Sequence, residues 1–235
     1  MSWSSVAVSR ASVEDRATYL RKVLGLTTVG VGIAAVVSVI TAGALAFVPA
    51  LLSGFFPFII IMGLFAINNF VAQPMVFGNA KPVGFALGMG VQGMAMGFLI
   101  LAAFIVSGAS FGNPFVLIGL AMGLTFFAVL GMTAYVFVAP RNFSMIGAAL
   151  SALSIPMLIA MVVGFAFPSL LGGTFGLILS VIFVAVSVGA VLYQLNEVIH
   201  RFTTDAHWEG AYTIAMGILT LFWNILSLLM RLSRR

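Results

Sequence analysis

The stretch that decides the fold is VGFALGMGVQGMAMGFLILAAFIVS, residues 83–107, which contains no charged side chain. At a rise of 1.5 Å per residue, such a run forms a helix long enough to cross about 30 Å of hydrocarbon. Similar runs lie on both sides of it, separated by Pro, Gly, Asn and charged residues. The sequence predicts seven spans, at about 23–48, 54–73, 83–107, 114–138, 144–167, 174–200 and 210–230.

The composition also indicates an integral membrane protein. Of 235 residues, 63% are hydrophobic and only 6% are charged, against about 25% charged in an ordinary soluble domain. Between Lys22 and Glu197 the ionisable residues of the Asp, Glu, Lys, Arg and His types are Lys81 and Arg141 alone, too few for a water-exposed surface. We therefore predict an all-α, polytopic membrane helix bundle in a lipid bilayer.

Enzymatic and nucleic-acid functions find no support in the sequence. The chain has no cysteine, which excludes thiolate nucleophiles, thiolate metal sites and disulfides. No Walker loop, zinc-protease, serine-hydrolase or dinucleotide motif occurs in the right context. The net charge of +5 is spread over termini and loops rather than along one stripe, unlike that of a nucleic-acid binder. We predict no enzyme activity, no cofactor and no nucleic-acid partner.

The ends of the chain have distinct predicted roles. Residues 1–11 are expected to form a mobile tail, ending where Ser12 and Asp15 have the spacing of a capping box. A short polar helix over 12–22 then continues into the first span, which is too long for a cleaved signal peptide. The predicted organisation is a cytoplasmic segment 1–22, a seven-helix transmembrane domain 23–231 and a basic tail 232–235.

The distribution of Lys and Arg predicts the orientation. The tail and the loops that carry Lys81, Arg141 and Arg201 alternate with three loops that lack charge, so the N-terminus is expected on the cytoplasmic side. A seventh crossing would leave the C-terminal arginines on the opposite side, against this rule. The last segment either crosses or returns, and we favour crossing.

Polar residues within the spans form two stripes. In the last segment they recur every three or four residues, which places them on one helix face that we expect to point inward: Thr213, Gly217, Thr220, Asn224 and Ser227. In the sixth segment, Ser180, Ser187 and Gln194 recur every seven residues. Two readings remain open, helix packing through small and polar residues or a polar path for ions or protons. The candidate interior network comprises Asn68, Asn69, Gln92, Ser187, Gln194, Gly217, Thr220 and Asn224.

Several ionisable residues lie near the junction of the sixth and seventh spans. Glu197 lies near the predicted cytoplasmic end of its span, where it is a candidate pH-sensitive acid but can also reach water by extending its side chain. The loop that follows holds His200, Asp205, His207 and Glu209. Since no helical pair of histidines occurs there, we interpret them as solvated loop residues and predict no metal site.

Three motifs in the second half of the chain resemble those of a known family. These are TAYVFVAPRNFSMIG at 133–147, VLYQLNEVIH at 191–200 and LFWNIL at 221–226. Together with seven spans and a polar helix before the first, they resemble the Bax inhibitor-1 family, most closely its bacterial YccA-like branch. The resemblance implies a bundle in which six helices surround the seventh, and it covers most of the chain.

Two activities follow from this resemblance, a pH-gated calcium leak or restraint of a membrane-anchored protease of the FtsH type. The resemblance implies that the leak branch carries acids at the position of Gln194 and at about Gly217, and this chain lacks both. Asn142 also replaces the acid that usually follows the basic residue in the family's loop between the fourth and fifth spans. Our leading hypothesis is therefore a non-enzymatic modulator or accessory subunit of a membrane complex in the bacterial inner membrane, with glycine-rich packing faces on the third and fourth segments. The alternative is a pH-dependent calcium or proton leak lined by Asn68, Gln92, Gln194, Thr220 and Asn224.

Overall fold

A computed structural model describes residues 7–138, 146–150, 152, 153 and 173–234. In this part of the chain, six helices are long and apolar enough to cross a membrane: α1 (Val13–Phe47), α2 (Phe56–Phe77), α3 (Lys81–Phe111), α4 (Val116–Val138), α5 (Gly173–His200) and α6 (His207–Ser233). They confirm the predicted all-α, polytopic membrane bundle. The fifth predicted span, 144–167, lies mostly outside the described residues, so the count of seven and the central place of the last helix stay predictions.

The start of α1 follows the predicted capping box. The Ser12 hydroxyl oxygen accepts a hydrogen bond from the Asp15 amide at 3.1 Å, which satisfies one of the free N–H groups of the first turn. Glu14 and Asp15 add negative charge where the helix dipole favours it. The helix then runs unbroken to Phe47, so the polar segment and the first span are one element, as predicted.

The prediction of a mobile tail up to residue 11 is wrong for residues 7–10. The Val8 amide donates a 2.8 Å hydrogen bond to the Phe202 carbonyl, and Ala7 forms an antiparallel bridge with Thr203. The Val8 side chain is fully buried, at 0% exposed. The composition of the tail gave no sign of this pairing, because it depends on backbone groups of a loop almost 200 residues away.

The break predicted over Pro74 to Pro82 is shorter than expected, because α2 ends at Phe77 and α3 begins at Lys81. Helix α2 continues through Pro74 to Phe77, after a π-helical segment at Asn68–Ala72. Pro74 lies at the start of the α-helical turn Gln73–Phe77, a position where its missing amide hydrogen is tolerated. A π segment inside an α-helix is rare and often marks a functional site.

The described chain divides into two compact units. The first comprises Met1–Leu101 and Gln194–Leu219, and its helices α1 and α3 approach closely. A Cβ on Gly93 would stand 2.6 Å from the Ala34 carbonyl oxygen, and one on Gly97 would stand 2.5 Å from the Thr41 Cβ. The glycine series of the third predicted span is therefore used for packing within this unit.

The second unit comprises Ala102–Tyr193 and Thr220–Arg235. Here the Ser107 hydroxyl donates to the Asn113 carbonyl at 2.6 Å and accepts from the Leu117 amide at 3.2 Å, which fixes the turn between α3 and α4. Gly119 and Gly123 on α4 differ from the α3 glycines, because no atom lies within 4 Å of a Cβ built on either. Among the described residues, the four-residue spacing of these two glycines is therefore not used for close helix packing.

Candidate functional site

The first unit contains an ion pair between the start of α3 and the first turn of α6. The Lys81 ammonium lies 2.7 Å from one carboxylate oxygen of Glu209, with side chains 33% and 10% exposed. Glu209 also lies where the α6 dipole favours negative charge. Lys81 begins α3 directly after the short turn that follows α2, so the pair joins that corner to α6.

The Tyr19 hydroxyl lies beside this pair. It is directly over the backbone of α6, since a Cβ on Gly210 would stand 2.7 Å from the hydroxyl oxygen. Tyr19 is 1% exposed. Among the described residues neither its hydroxyl nor the second carboxylate oxygen of Glu209 has a hydrogen-bond partner. The site therefore combines a neutralised ion pair with two buried polar atoms that lack a protein partner.

A second polar contact lies one helical turn further along α6. The Tyr212 hydroxyl donates a 2.9 Å hydrogen bond to the Asn68 side-chain oxygen, and the Asn68 amide approaches the Met216 sulfur at 3.9 Å. A Cβ on Gly88 would stand 2.6 Å from the Tyr212 ring. The glycine thus lets α3 pass close to the contact that ties the π segment of α2 to α6.

The loop between α5 and α6 borders this region. A hydrogen bond from the Thr203 side chain holds the pKa of the Asp205 carboxyl below its usual value, and the charges of Lys81 and His207 act in the same direction, against a partial desolvation that raises it. Trp208, in the first turn of α6, packs edge-on against Phe85 with ring centroids 5.5 Å apart. Within the described chain, no three His, Asp or Glu residues are close enough together to hold a metal ion.

The members of the predicted interior network have different surroundings. Asn68 is buried and joins α2 to α6 as described above, whereas the Asn69 amide donates to the Phe65 carbonyl of its own helix at 2.8 Å. Ser187 is buried and donates to its own helix at Val184. Gln92 is half-buried. The Gln194 side-chain oxygen is buried with no partner among the described residues.

The polar face predicted to point inward in the last span is buried at only some of its positions in the described structure. Gly217 is buried, but Thr220 is exposed and Asn224 is half-buried. The most buried side chains of α6 are apolar and lie on more than one face. At 100° per residue, Ala215 and Leu226 lie roughly opposite Gly217, whereas Ile214 and Leu221 lie on its side. The polar stripe therefore does not distinguish the buried side of this helix.

Two further predicted residues take part in local contacts. The Asn224 amide approaches the backbone carbonyl of Phe183 at 3.5 Å, so α5 and α6 meet here within the second unit, through a residue outside the predicted α5 stripe. Glu197 lies 3.4 Å from Arg201, one turn on, with side chains 26% and 48% exposed. The carboxylate thus reaches the loop at the end of α5.

The comparison with known proteins identifies a family. The family model described as "Inhibitor of apoptosis-promoting Bax1" matches residues 16–234, nearly the whole chain. The chain belongs to this family. The resemblance to the Bax inhibitor-1 family is thereby confirmed, and with it the assignment to a membrane protein family. No curated protein and no solved structure matches the chain.

Sequence analysis missed most of the residues that build the site. The Lys and Arg pattern indicates only a role in orientation for Lys81, and the polar loop predicts only a solvated position for Glu209. One signal was present, since Lys81 is the sole Lys or Arg between Lys22 and Arg141, and a cation between apolar spans needs a counter-ion. Nothing in the sequence distinguishes Glu209 from the chain's other acids as that partner.

Proposed function

We propose that this Bax inhibitor-1 family protein is a non-enzymatic modulator or accessory subunit of a larger membrane protein complex. Its partner is a membrane protein, for example a quality-control protease of the FtsH type, and its location is the bacterial inner membrane, as in the YccA-like branch. The observation that carries the proposal is the face of α4 on which, among the described residues, Gly119 and Gly123 have no neighbour within 4 Å of a built Cβ.

The argument depends on what glycines do in lipid. Helices in a bilayer associate through close packing rather than through hydrophobic burial, and a Gly-x-x-x-Gly spacing lets two backbones approach. The α3 glycines serve this purpose inside the protein, as Gly93 does against Ala34. Gly119 and Gly123 have the same spacing without a partner among the described residues, so we propose a helix of another protein as the occupant of that face.

The polar groups of the interior support a structural rather than a conducting role. Between Lys22 and Glu197 the chain has no Asp or Glu. Gln194 and Gly217 stand where the leak branch carries its acids, and neither can share a proton as two close carboxyls do. Asn68 and Asn224 make contacts between helices. These contacts favour a role in helix packing for both residues.

The test is capture of the partner in native membranes. A photo-crosslinking amino acid in place of Phe127, which is exposed one turn beyond Gly123 on α4, should capture one defined membrane protein, and replacing Gly119 and Gly123 by leucine should remove that product. Gly25→Leu with Gly32→Leu is the matched control, because both glycines of α1 are equally open but lack the four-residue spacing. Equal capture by the two leucine variants, or no defined product at all, would rule out the α4 face.

A second candidate function is a pH-dependent calcium or proton leak. The favouring observation is the buried Gln194 oxygen without a partner among the described residues, an acceptor that an ion or proton carrier would use. Flux into proteoliposomes should be measured from about pH 5 to pH 8. We expect the native protein to be silent and a Gln194→Asp, Gly217→Asp variant to leak. Flux through the native protein that is lost in Gln194→Leu would favour the leak instead.

A further inference from the structure

We infer that the Tyr19 hydroxyl and the second carboxylate oxygen of Glu209 form a binding site for one water molecule, which joins α1 to the first turn of α6. Both atoms are buried, and neither has a hydrogen-bond partner in the described part of the chain. The site is independent of the α4 face and of any partner protein.

The two atoms need a shared partner of particular chemistry. A carboxylate oxygen accepts hydrogen bonds only, whereas a phenol hydroxyl can donate or accept. Buried polar groups are almost always hydrogen-bonded, and internal waters commonly satisfy those that the protein itself does not. A water molecule donates one hydrogen to Glu209 and either accepts from or donates to Tyr19, so it satisfies both atoms at once.

The charges around the site argue against a cation. The Lys81 ammonium at 2.7 Å already neutralises Glu209. Among the described residues, no three His, Asp or Glu side chains lie close enough together to hold a metal ion. The charges of Lys22 and Lys81 also act on the adjacent His207. A metal ion here would add positive charge next to an ammonium group, so a neutral hydrogen-bond donor is favoured.

Gly210 makes this arrangement sterically feasible. A Cβ at that position would stand 2.7 Å from the Tyr19 hydroxyl oxygen and 3.3 Å from a methyl group of Val198. Gly210, which follows Glu209 in sequence, therefore lets the Tyr19 hydroxyl lie against the backbone of α6. The ion pair then ties α3 to α6, and the water ties α1 to the same turn.

Two tyrosine variants provide the first test. Tyr212→Phe removes a direct hydrogen bond to Asn68 and serves as the reference. We expect Tyr19→Phe to lower the Tm by a similar amount, about 2–4 °C for a chain of this size. Thermal unfolding is monitored in detergent by intrinsic tryptophan fluorescence. If the Tyr19 hydroxyl is truly unpaired, its removal relieves a desolvation penalty, and an unchanged or higher Tm would overturn the proposal.

The link to Glu209 needs a second comparison. In a Lys81→Met, Glu209→Met background, which removes both charges and the hydrogen-bonding atoms of both side chains, the effect of Tyr19→Phe should fall to half or less. An undiminished effect would show that Tyr19 bonds elsewhere. If that background does not fold, a cryo-EM map decides: a density peak about 2.6–3.2 Å from both atoms supports the site, and its absence in a map that shows other internal waters contradicts it.

Ion titration separates water from a cation. The Tm of the native protein and of Tyr19→Phe should respond equally to added KCl and CaCl₂, because no cation binds at the site. A rise in Tm with either cation that requires Tyr19 would replace the water with a cation site.

Discussion

Lys81 and Glu209, 128 positions apart in the sequence, form a 2.7 Å ion pair that is partly shielded from water. Replacing Lys81 by Met should leave a largely buried carboxylate without its counter-ion. We expect a loss of about 2 kcal/mol in the free energy of unfolding, between the values typical of surface pairs and of fully buried pairs. Thermal unfolding in detergent measures it.

Arg201→Ala is the matched control for this prediction. Its ion pair with Glu197 is longer, at 3.4 Å, and more exposed, so its loss should cost about 0.5 kcal/mol or less. The double variant Lys81→Met, Glu209→Met should recover most of the lost stability, because apolar residues of similar volume can replace a buried pair. Equal losses from Lys81→Met and Arg201→Ala would contradict this account.

The hydrogen bond from Tyr212 to Asn68 leads to a second prediction. In Asn68→Leu the Tyr212 hydroxyl loses its acceptor inside the first unit, and we expect a destabilisation of about 1–3 kcal/mol. Asn69→Leu is the control, because the Asn69 amide donates to the Phe65 carbonyl of its own helix, and it should change stability by less than about 1 kcal/mol. Similar effects from the two variants would argue against a structural role for the contact.

The helices themselves could be predicted from the sequence. The apolar run at 83–107 corresponds to Lys81–Phe111, and the run at 114–138 corresponds to Val116–Val138. The Ser12 cap was likewise visible in the spacing of Ser12 and Asp15. These features depend on length, local spacing and the absence of charge, all of which act within a few turns of chain.

The contacts between helices could not be predicted in the same way. The sequence placed the polar stripe of α6 on its inward face, but the most buried side chains of this helix are apolar, among them Leu219 and Leu226. In lipid, apolar side chains suit both the interior and the exterior, so periodicity alone does not tell which face is buried. The pairing of Val8 with Phe202 involves backbone atoms, which carry no sequence signal.

Glycine substitutions in α3 test the close approach to α1. A Cβ on Gly93 would meet the Ala34 carbonyl oxygen at 2.6 Å, a backbone atom that cannot move aside easily. Gly93→Ala should therefore destabilise the protein by about 1–3 kcal/mol. Gly90→Ala, three residues away with nothing within 4 Å, should instead stabilise it by up to about 1 kcal/mol through helix propensity. Effects of the same sign at both positions would refute the predicted contrast.

The Asp205 carboxyl provides a prediction about pH. Its pKa is lowered in the folded protein, chiefly by the Thr203 hydrogen bond, so the resulting stability is present above the unfolded value of about 3.9 and disappears as the pH falls through the folded pKa. Thr203→Val should lower the Tm at neutral pH, and the difference from the native protein should shrink below about pH 4. Thr204→Val is the control. A difference independent of pH would exclude Asp205 as the cause.

Single cysteines can test the predicted orientation, because the native chain contains none. Arg10, Ser53 and Arg234 are exposed, and each can be replaced by cysteine in turn. If the N-terminus is cytoplasmic, a membrane-impermeant maleimide applied to intact cells or spheroplasts should label Ser53→Cys and leave Arg10→Cys unlabelled until lysis. The reverse pattern would invert the orientation. Arg234→Cys then decides the last segment. Labelling together with Ser53→Cys requires a seventh crossing. Labelling together with Arg10→Cys means that an even number of segments crosses and that the C-terminal arginines stay on the cytoplasmic side.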